Sequence, residues 1–262
     1  TQNDVIKKAL ANCQLELHKW GAANQVAFDL AKESQHILSL SEPQGCEFKL
    51  LGVLFDTGLS MAQAVAELVS SASWKLRTLL RTRRFYTDAD LILLYKSHVL
   101  SYIEYRTPAI YHAIRAVLRR VDAVQRNFLR DIGVDEVTAL LHFHLAPLTT
   151  RRDIAMLGLI HRTVLGKGPT QFAEFFRRDT NHTLKLVDPR QTSRSPLLRR
   201  SALGLVAVYN MLPHKVLSAR TVPAFQKDLQ ELVSSFAASS HPQWSEVLSP
   251  RIPLTSHPLA TI

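Results

Sequence analysis

Apolar residues recur at helical spacing over most of the chain, interrupted near the start by a stretch that reads as extended. Val5, Ile6, Ala9, Leu10, Cys13, Leu17 and Trp20 share one side of a helix over 3–20, with Lys7, Lys8, Glu16 and Lys19 elsewhere. Gly21 ends it, and Cys13 reads as a small core residue. Extended segments are expected at 26–28, 35–40 and 48–55, with the turn Pro43-Gln44-Gly45 before the last. Gly52, inside that last segment, marks a bulge or a close backbone approach.

From Ser60, placed as an N-cap, the period turns helical again. Val65, Leu68, Val69, Ala72, Leu76, Leu79 and Leu80 make one broad apolar face. Thr87 or Asp88 caps a second helix over 88–105, apolar nearly all round and therefore expected at the centre of a bundle. Pro108 interrupts. A third helix over 114–132 buries Val117, Val121, Val124 and Phe128 and stops at Gly133. Further helices are expected from Thr149 or Thr150 to Leu165, over 197–212 and over 223–237, with a polar loop at 179–196. No internal repeat is present. The fold class is α+β, mostly α: a small antiparallel β element, a three-helix bundle, then a further helical region. The divisions read 1–58, 59–132, 133–239 and a flexible tail at 240–262.

Charge sharpens this picture. The net charge is +10 over 262 residues, unevenly spread. Residues 1–73 hold five Lys/Arg and eight Asp/Glu; residues 74–130 hold twelve and four. Within that second stretch arginines fall in rows. Arg77, Arg81 and Arg84 occupy one side of the first bundle helix. Arg115, Arg119, Arg126 and Arg130 occupy one side of the third. At about 100° per residue each row spans roughly 60° of arc, opposite the apolar face. A solvated helix face usually mixes signs, whereas only Asp122 borders these rows. They point to phosphate, hence to nucleic acid, with Arg supplying planar forks that fix position without reading sequence. The expectation is that the two rows converge on a shared side and form a cradle for a sugar–phosphate strand. Tyr86, Tyr95, Tyr102, Tyr105 and Tyr111 read mostly as core or boundary residues, and Trp20 and Trp74 as packing anchors.

Other chemistries find little support. Cys13 and Cys46 are too few for a disulfide framework, which fits a reducing, intracellular setting rather than secretion. Asn181-His182-Thr183 matches a glycosylation sequon without a secretory signal. No apolar run approaches membrane-spanning length, so no membrane partner is expected. His142 and His144 lack partners at zinc spacing. Gly166-Lys167-Gly168-Pro169 lacks the phosphate-loop spacing, and no Gly-x-Ser-x-Gly element supports a hydrolase.

Several local patterns carry a family resemblance: Trp20-Gly21 with Asn24, Phe28 and Lys32-Glu33; Phe48-Lys49-Leu50-Leu51-Gly52-Val53 with Asp56; Leu94-Tyr95 through Ile103-Glu104-Tyr105, then Val124-Gln125-Arg126 and Leu129-Arg130; and Leu145, Pro147-Leu148 and Arg151-Arg152, with Tyr209-Asn210 and Leu212-Pro213 further on. In this order and spacing the chain resembles the carboxy-terminal part of a reverse transcriptase from a non-LTR (LINE-type) retrotransposon, over roughly residues 3–230. The resemblance implies that 1–58 are the end of a polymerase palm and 59–132 a thumb-like bundle. It implies a primer-gripping role for Lys49 and Gly52. It also implies an auxiliary role for Lys32 near the incoming nucleotide, although Glu33 stands where the family often has Thr.

One departure bears on activity. The family's polymerase holds two magnesium ions on adjacent aspartates, and no Asp-Asp pair occurs here. The expectation is a fragment whose upstream palm and fingers are missing. It would be inactive alone and without a cofactor of its own, Mg2+ belonging to the full-length parent, and its partner would be an RNA–DNA hybrid or RNA. The alternative is a non-enzymatic basic helical module that binds nucleic acid or an acidic protein.

Overall fold

The computed structural model of the chain describes residues 2–180, 184–188 and 195–261; the sequon at 181–183 lies outside them. The chain divides into two compact units, Thr1–Met61 and Ala62–Ile262. The break falls three residues beyond the expected one.

In the first unit, helix α1 (Gln2–Ala23) runs through Gly21 instead of stopping there. The chain turns after Ala23 and folds back over that glycine, where a Cβ would lie 2.5 Å from the Phe28 ring and 2.7 Å from the Val26 carbonyl. Residues 26–28 are this return rather than a strand. The apolar side of α1 is largely uncovered: Val5, Leu17 and Trp20 are exposed, as is Cys13, which is therefore no core residue. The sheet of this unit has three-residue strands, too small to cover a 22-residue helix.

That sheet is a hairpin. Strand β1 (Phe48–Leu50) pairs antiparallel with β2 (Val53–Phe55), Phe48 opposite Phe55 and Lys49 opposite Leu54. Leu51 and Gly52 both have positive φ, 50° and 76°, the signature of a two-residue primed turn. Gly52 thus turns a hairpin rather than bulging one strand. Residues 35–40 contribute a single bridge, Ile37 to Gln44. The N–H and hydroxyl of Ser60, the expected N-cap, donate to Asp56 at 2.8 and 3.1 Å, and the Met61 N–H adds a third bond at 2.7 Å. Burial raises the Asp56 pKa, but these donors outweigh it and hold the carboxylate below its ordinary value.

The second unit opens with the three-helix bundle. Helix α2 (Ala62–Arg81) buries Ala64, Val65, Leu68, Ala72, Leu76 and Leu79, close to the expected face. Thr87 caps α3 (Asp88–Tyr95) in a reciprocal box with Asp90. One wider turn, Lys96–Leu100, carries α3 on into α4 (Ser101–Glu104), with the Ser101 N–H donating to the Lys96 carbonyl five residues back. This segment is amphipathic and not buried all round: Leu91, Ile92, Val99 and Ile103 face inward while Leu93 is exposed. After α5 (Thr107–Ile110), α6 (Arg115–Ile132) closes the bundle and ends at Gly133 in the left-handed region. Tyr95 stacks on Phe128 with ring centroids 4.4 Å apart, so the helix hairpin and α6 share one core with α2.

That core continues into the rest of the unit. Buried Gln125 of α6 donates to the Ala146 carbonyl at 3.0 Å. Beyond it come α7 (Glu136–Leu141), α8 (Leu148–Val164), α9 (Pro196–Arg200), α10 (Val206–Met211), α11 (His214–Leu217) and α12 (Val222–Ala238). Pro147, not a threonine, precedes α8, and the Thr150 hydroxyl donates instead to the Ser245 carbonyl at 2.7 Å. The expected helix over 197–212 breaks between α9 and α10, where the Arg199 carbonyl comes so close to Gly204 that a Cβ there would stand 2.0 Å from it. Buried His161 on α8 lies flat on Phe225 of α12, centroids 4.0 Å apart. It accepts from the Tyr209 hydroxyl and donates to the Ala219 carbonyl, each at 2.9 Å.

The end of the chain is docked, contrary to the flexible tail expected from its Ser, Pro and His content. Val247, Leu248, Ile252 and Leu259 are buried, three of them in the same core as α8, α10 and α12. Sparse apolar residues at irregular spacing suffice because each meets a preformed helical surface. Residues 62–262 form one compact unit, without separate units at 132 or 239.

Candidate nucleic-acid interface

Arg77, Arg81, Arg84, Arg115, Arg119, Arg126 and Arg130 all lie exposed on the second unit. They do not form the shared cradle. On α2, Arg77 and Arg81 sit roughly 150° or more around the helix from the buried Leu68–Leu76 face, and that buried face is the one turned to the bundle. Arg84 leaves the row because α2 ends at Arg81; it belongs to the tight turn Arg83–Phe85. On α6, Arg115, Arg119 and Arg126 line a cleft with the start of α8 and the segment 245–251, and no residue of α2 lines it. Each helix turns its apolar side to the bundle, so arginines opposite those sides diverge.

The two faces also differ chemically. Arg115 is ion-paired with Glu246, and Asp122 beside the row is paired with Arg152 at 2.7 Å. Among the described residues, Arg77, Arg81 and Arg84 have no carboxylate partner. The Arg84 guanidinium lies 4.7 Å from the centroid of the Phe85 ring, and Arg83 donates to the Asp131 carbonyl at the end of α6. Three large aromatics stand exposed beside these cations: Trp74 at 63%, Phe85 at 70% and Tyr86 at 45%. Trp74 and Tyr86 flank a groove of about 340 Å³ floored by Leu79 and Leu94.

Neither Trp74 nor Trp20 is the packing anchor expected of it; both are exposed. For Trp74 the sequence carries the signal, since it precedes Arg77 and Arg81 by three and seven residues and so shares their side of α2. Tyr95 and Tyr111 are buried as expected, whereas Tyr86 and Tyr105 are exposed. Arg83, Arg152 and Arg251 join the two basic surfaces only through the fold and belong to no row in sequence.

The remaining candidates lie in the first unit. Lys32 is highly exposed and paired with Asp29 at 3.1 Å, the geometry of a surface lysine in a turn. Lys49 is exposed on β1, and Gly52 turns the hairpin. The magnesium that the resemblance implies for a parent enzyme has no ligand set here: there is no adjacent aspartate pair, and no group of three His, Cys, Asp or Glu able to hold a metal among the described residues. Nor is any helix among them long and apolar enough to cross a membrane.

No protein-family model, curated protein or solved structure matches the chain.

Proposed function

We propose that the outer face of α2 and the turn after it bind nucleic acid, and that the chain serves as the template–primer-gripping part of an RNA-directed DNA polymerase of the retrotransposon kind, working inside the cell. The observation that carries the reading is Trp74 and Phe85 standing exposed among arginines that have no carboxylate partner among the described residues. Exposed aromatics offer stacking surfaces for bases, and guanidinium groups alongside them offer forks for phosphates. Such contacts position a strand without reading its sequence. The likeness of the local patterns to a reverse-transcriptase thumb supports an RNA–DNA hybrid as the polymer. No catalytic step is assigned to the chain, because it carries no paired aspartates to hold metal ions.

The test is titration of the full chain with a short RNA–DNA duplex at several ionic strengths. Affinity falling steeply with salt supports the proposal. Absence of binding at low salt, or an affinity indifferent to salt, removes it.

A further inference from the structure

The second basic surface is a different object from the first. Five guanidinium groups, those of Arg115, Arg119, Arg126, Arg152 and Arg251, line one cleft among α6, the start of α8 and the segment 245–251. Three carboxylates, Asp122, Glu136 and Glu246, line it too. Five cations against three anions leave an excess of two positive charges. The ion pairs are unevenly shared. Arg152 closes on Asp122 and Arg115 on Glu246. Arg251 has the Tyr111 carbonyl as its acceptor, at 2.8 Å. Arg119 and Arg126 are exposed and form no ion pair with a described residue. Both are open to solvent, and the Arg126 charge acts on Glu136 across the cleft, so these two guanidinium groups remain available to an incoming anion.

Its size narrows what can complete it. The cavity is about 150 Å³. This lies below the ~300 Å³ at which pockets for whole small molecules begin. A space of this size suits a compact anion. The cleft also opens at the N-terminus of α8, a 17-residue helix whose capping position, Pro147, supplies no side-chain acceptor. The positive end of that helix favours an anion.

We propose that this cleft binds a phosphomonoester dianion. A monoester carries close to two negative charges near neutral pH, matching the excess of two, and its terminal oxygens are acceptors for the Arg119 and Arg126 forks. A phosphodiester within a strand carries one charge and two free oxygens, and it would leave the cleft half neutralised. The source of the group is either the terminal phosphate of a nucleic acid or a free phosphate. The inference does not rest on polymer binding at α2, since the two surfaces share no residue.

The test uses the full chain and calorimetric titration with inorganic phosphate, then with an oligonucleotide bearing or lacking a 5′-phosphate. Arg119→Gln and Arg126→Gln remove the two unpaired forks, and circular dichroism with a thermal midpoint checks that each variant folds. Arg120→Gln, on α6 but outside the cleft, removes the same charge elsewhere. The expected result is saturable phosphate binding, weakened at least tenfold by Arg119→Gln or Arg126→Gln and less than twofold by Arg120→Gln. Preference for the 5′-phosphorylated oligonucleotide assigns the group to a nucleic-acid end; equal binding of both oligonucleotides with saturable inorganic phosphate assigns it to a free phosphate. Absence of saturable phosphate binding overturns the proposal, and so does equal weakening by all three variants. Phosphate binding that survives while the duplex fails to bind separates this cleft from the α2 surface.

Discussion

Replacing Arg77 and Arg81 with Gln tests the α2 surface by a change of slope. Both side chains are exposed and neither holds a carboxylate of the described residues, so the fold loses no ion pair among them and Gln keeps the helix propensity. With Arg84, three guanidinium groups face outward from α2 and its following turn. Each phosphate neutralised on duplex contributes about −0.9 to the slope of log affinity against log salt, so three give roughly −2.7. Between 50 and 200 mM salt, wild-type affinity then falls about 40-fold. The double variant keeps one contact and a slope near −0.9, and falls only about 3- to 4-fold over the same range. Fluorescence anisotropy of a labelled RNA–DNA duplex, measured at five or six salt concentrations, gives both slopes. Parallel lines for wild type and variant, merely offset or coincident, would refute the argument, because the removed arginines would then not be the groups that displace counterions. A wild-type slope much steeper than −2.7 would place further phosphates on other surfaces, with the α6 row the first to examine.

Other consequences are equally concrete. Trp74→Ala should weaken binding of a single-stranded oligonucleotide by about 1–3 kcal/mol while leaving the thermal midpoint nearly unchanged; no loss of affinity would return Trp74 to a passive surface role. Burial lowers the His161 pKa, as it does that of His257. The unfolded chain therefore takes up protons first, and stability should be complete above about pH 6.5 and decline as pH falls below it; urea midpoints between pH 5 and 8 measure this, and His161→Gln should flatten the decline. Asp153 has the opposite sign: burial raises its pKa to about 7, against the lowering effects of its bond from Tyr111 and of Arg152 and Arg251. Its contribution is full below the unfolded value near 4 and is lost as pH rises through about 7, so Asp153→Asn should remove that loss, and an unchanged pH profile would count against it. Gly204→Ala should destabilise by several kcal/mol, because the Arg199 carbonyl occupies the place of the new Cβ; a thermal midpoint within two degrees of wild type would show that the chain there can shift.

Features that depend on local periodicity and capping are legible in the sequence. The bundle helices begin and end within a residue or two of expectation because Thr87 and Gly133 supply chemistry that acts within one turn. The inward face of α2 follows closely from 3.6-residue spacing; on α6 Val121, Val124 and Phe128 bury as that spacing predicts, whereas Val117 is only partly buried and Leu118, Gln125 and Leu129 bury beside them. The failures share a different cause. The α1 stripe has the spacing of a core face, but whether it is covered depends on what else its unit contains, and there the partners are strands of three residues. The tail has the composition of a loose segment, yet Val247 and Leu248 bury because a surface made by α8 and α12 awaits them.

The arginine rows combine both cases. Each row is legible, since it is a property of one helix, whereas their convergence is not, since it depends on which sides of two helices pack. Amphipathicity itself argues against a cradle. If the apolar side of each helix faces a common core, charges opposite those sides must point apart, and they can meet only at a rim or an end. Arg83, bonded to the Asp131 carbonyl, marks the end where the two helices come together. A single groove would have required arginines flanking the apolar faces rather than opposing them. Divergent rows instead give the molecule two basic surfaces of different shape: an open face with exposed aromatics, and a cleft whose guanidinium groups outnumber its carboxylates by two.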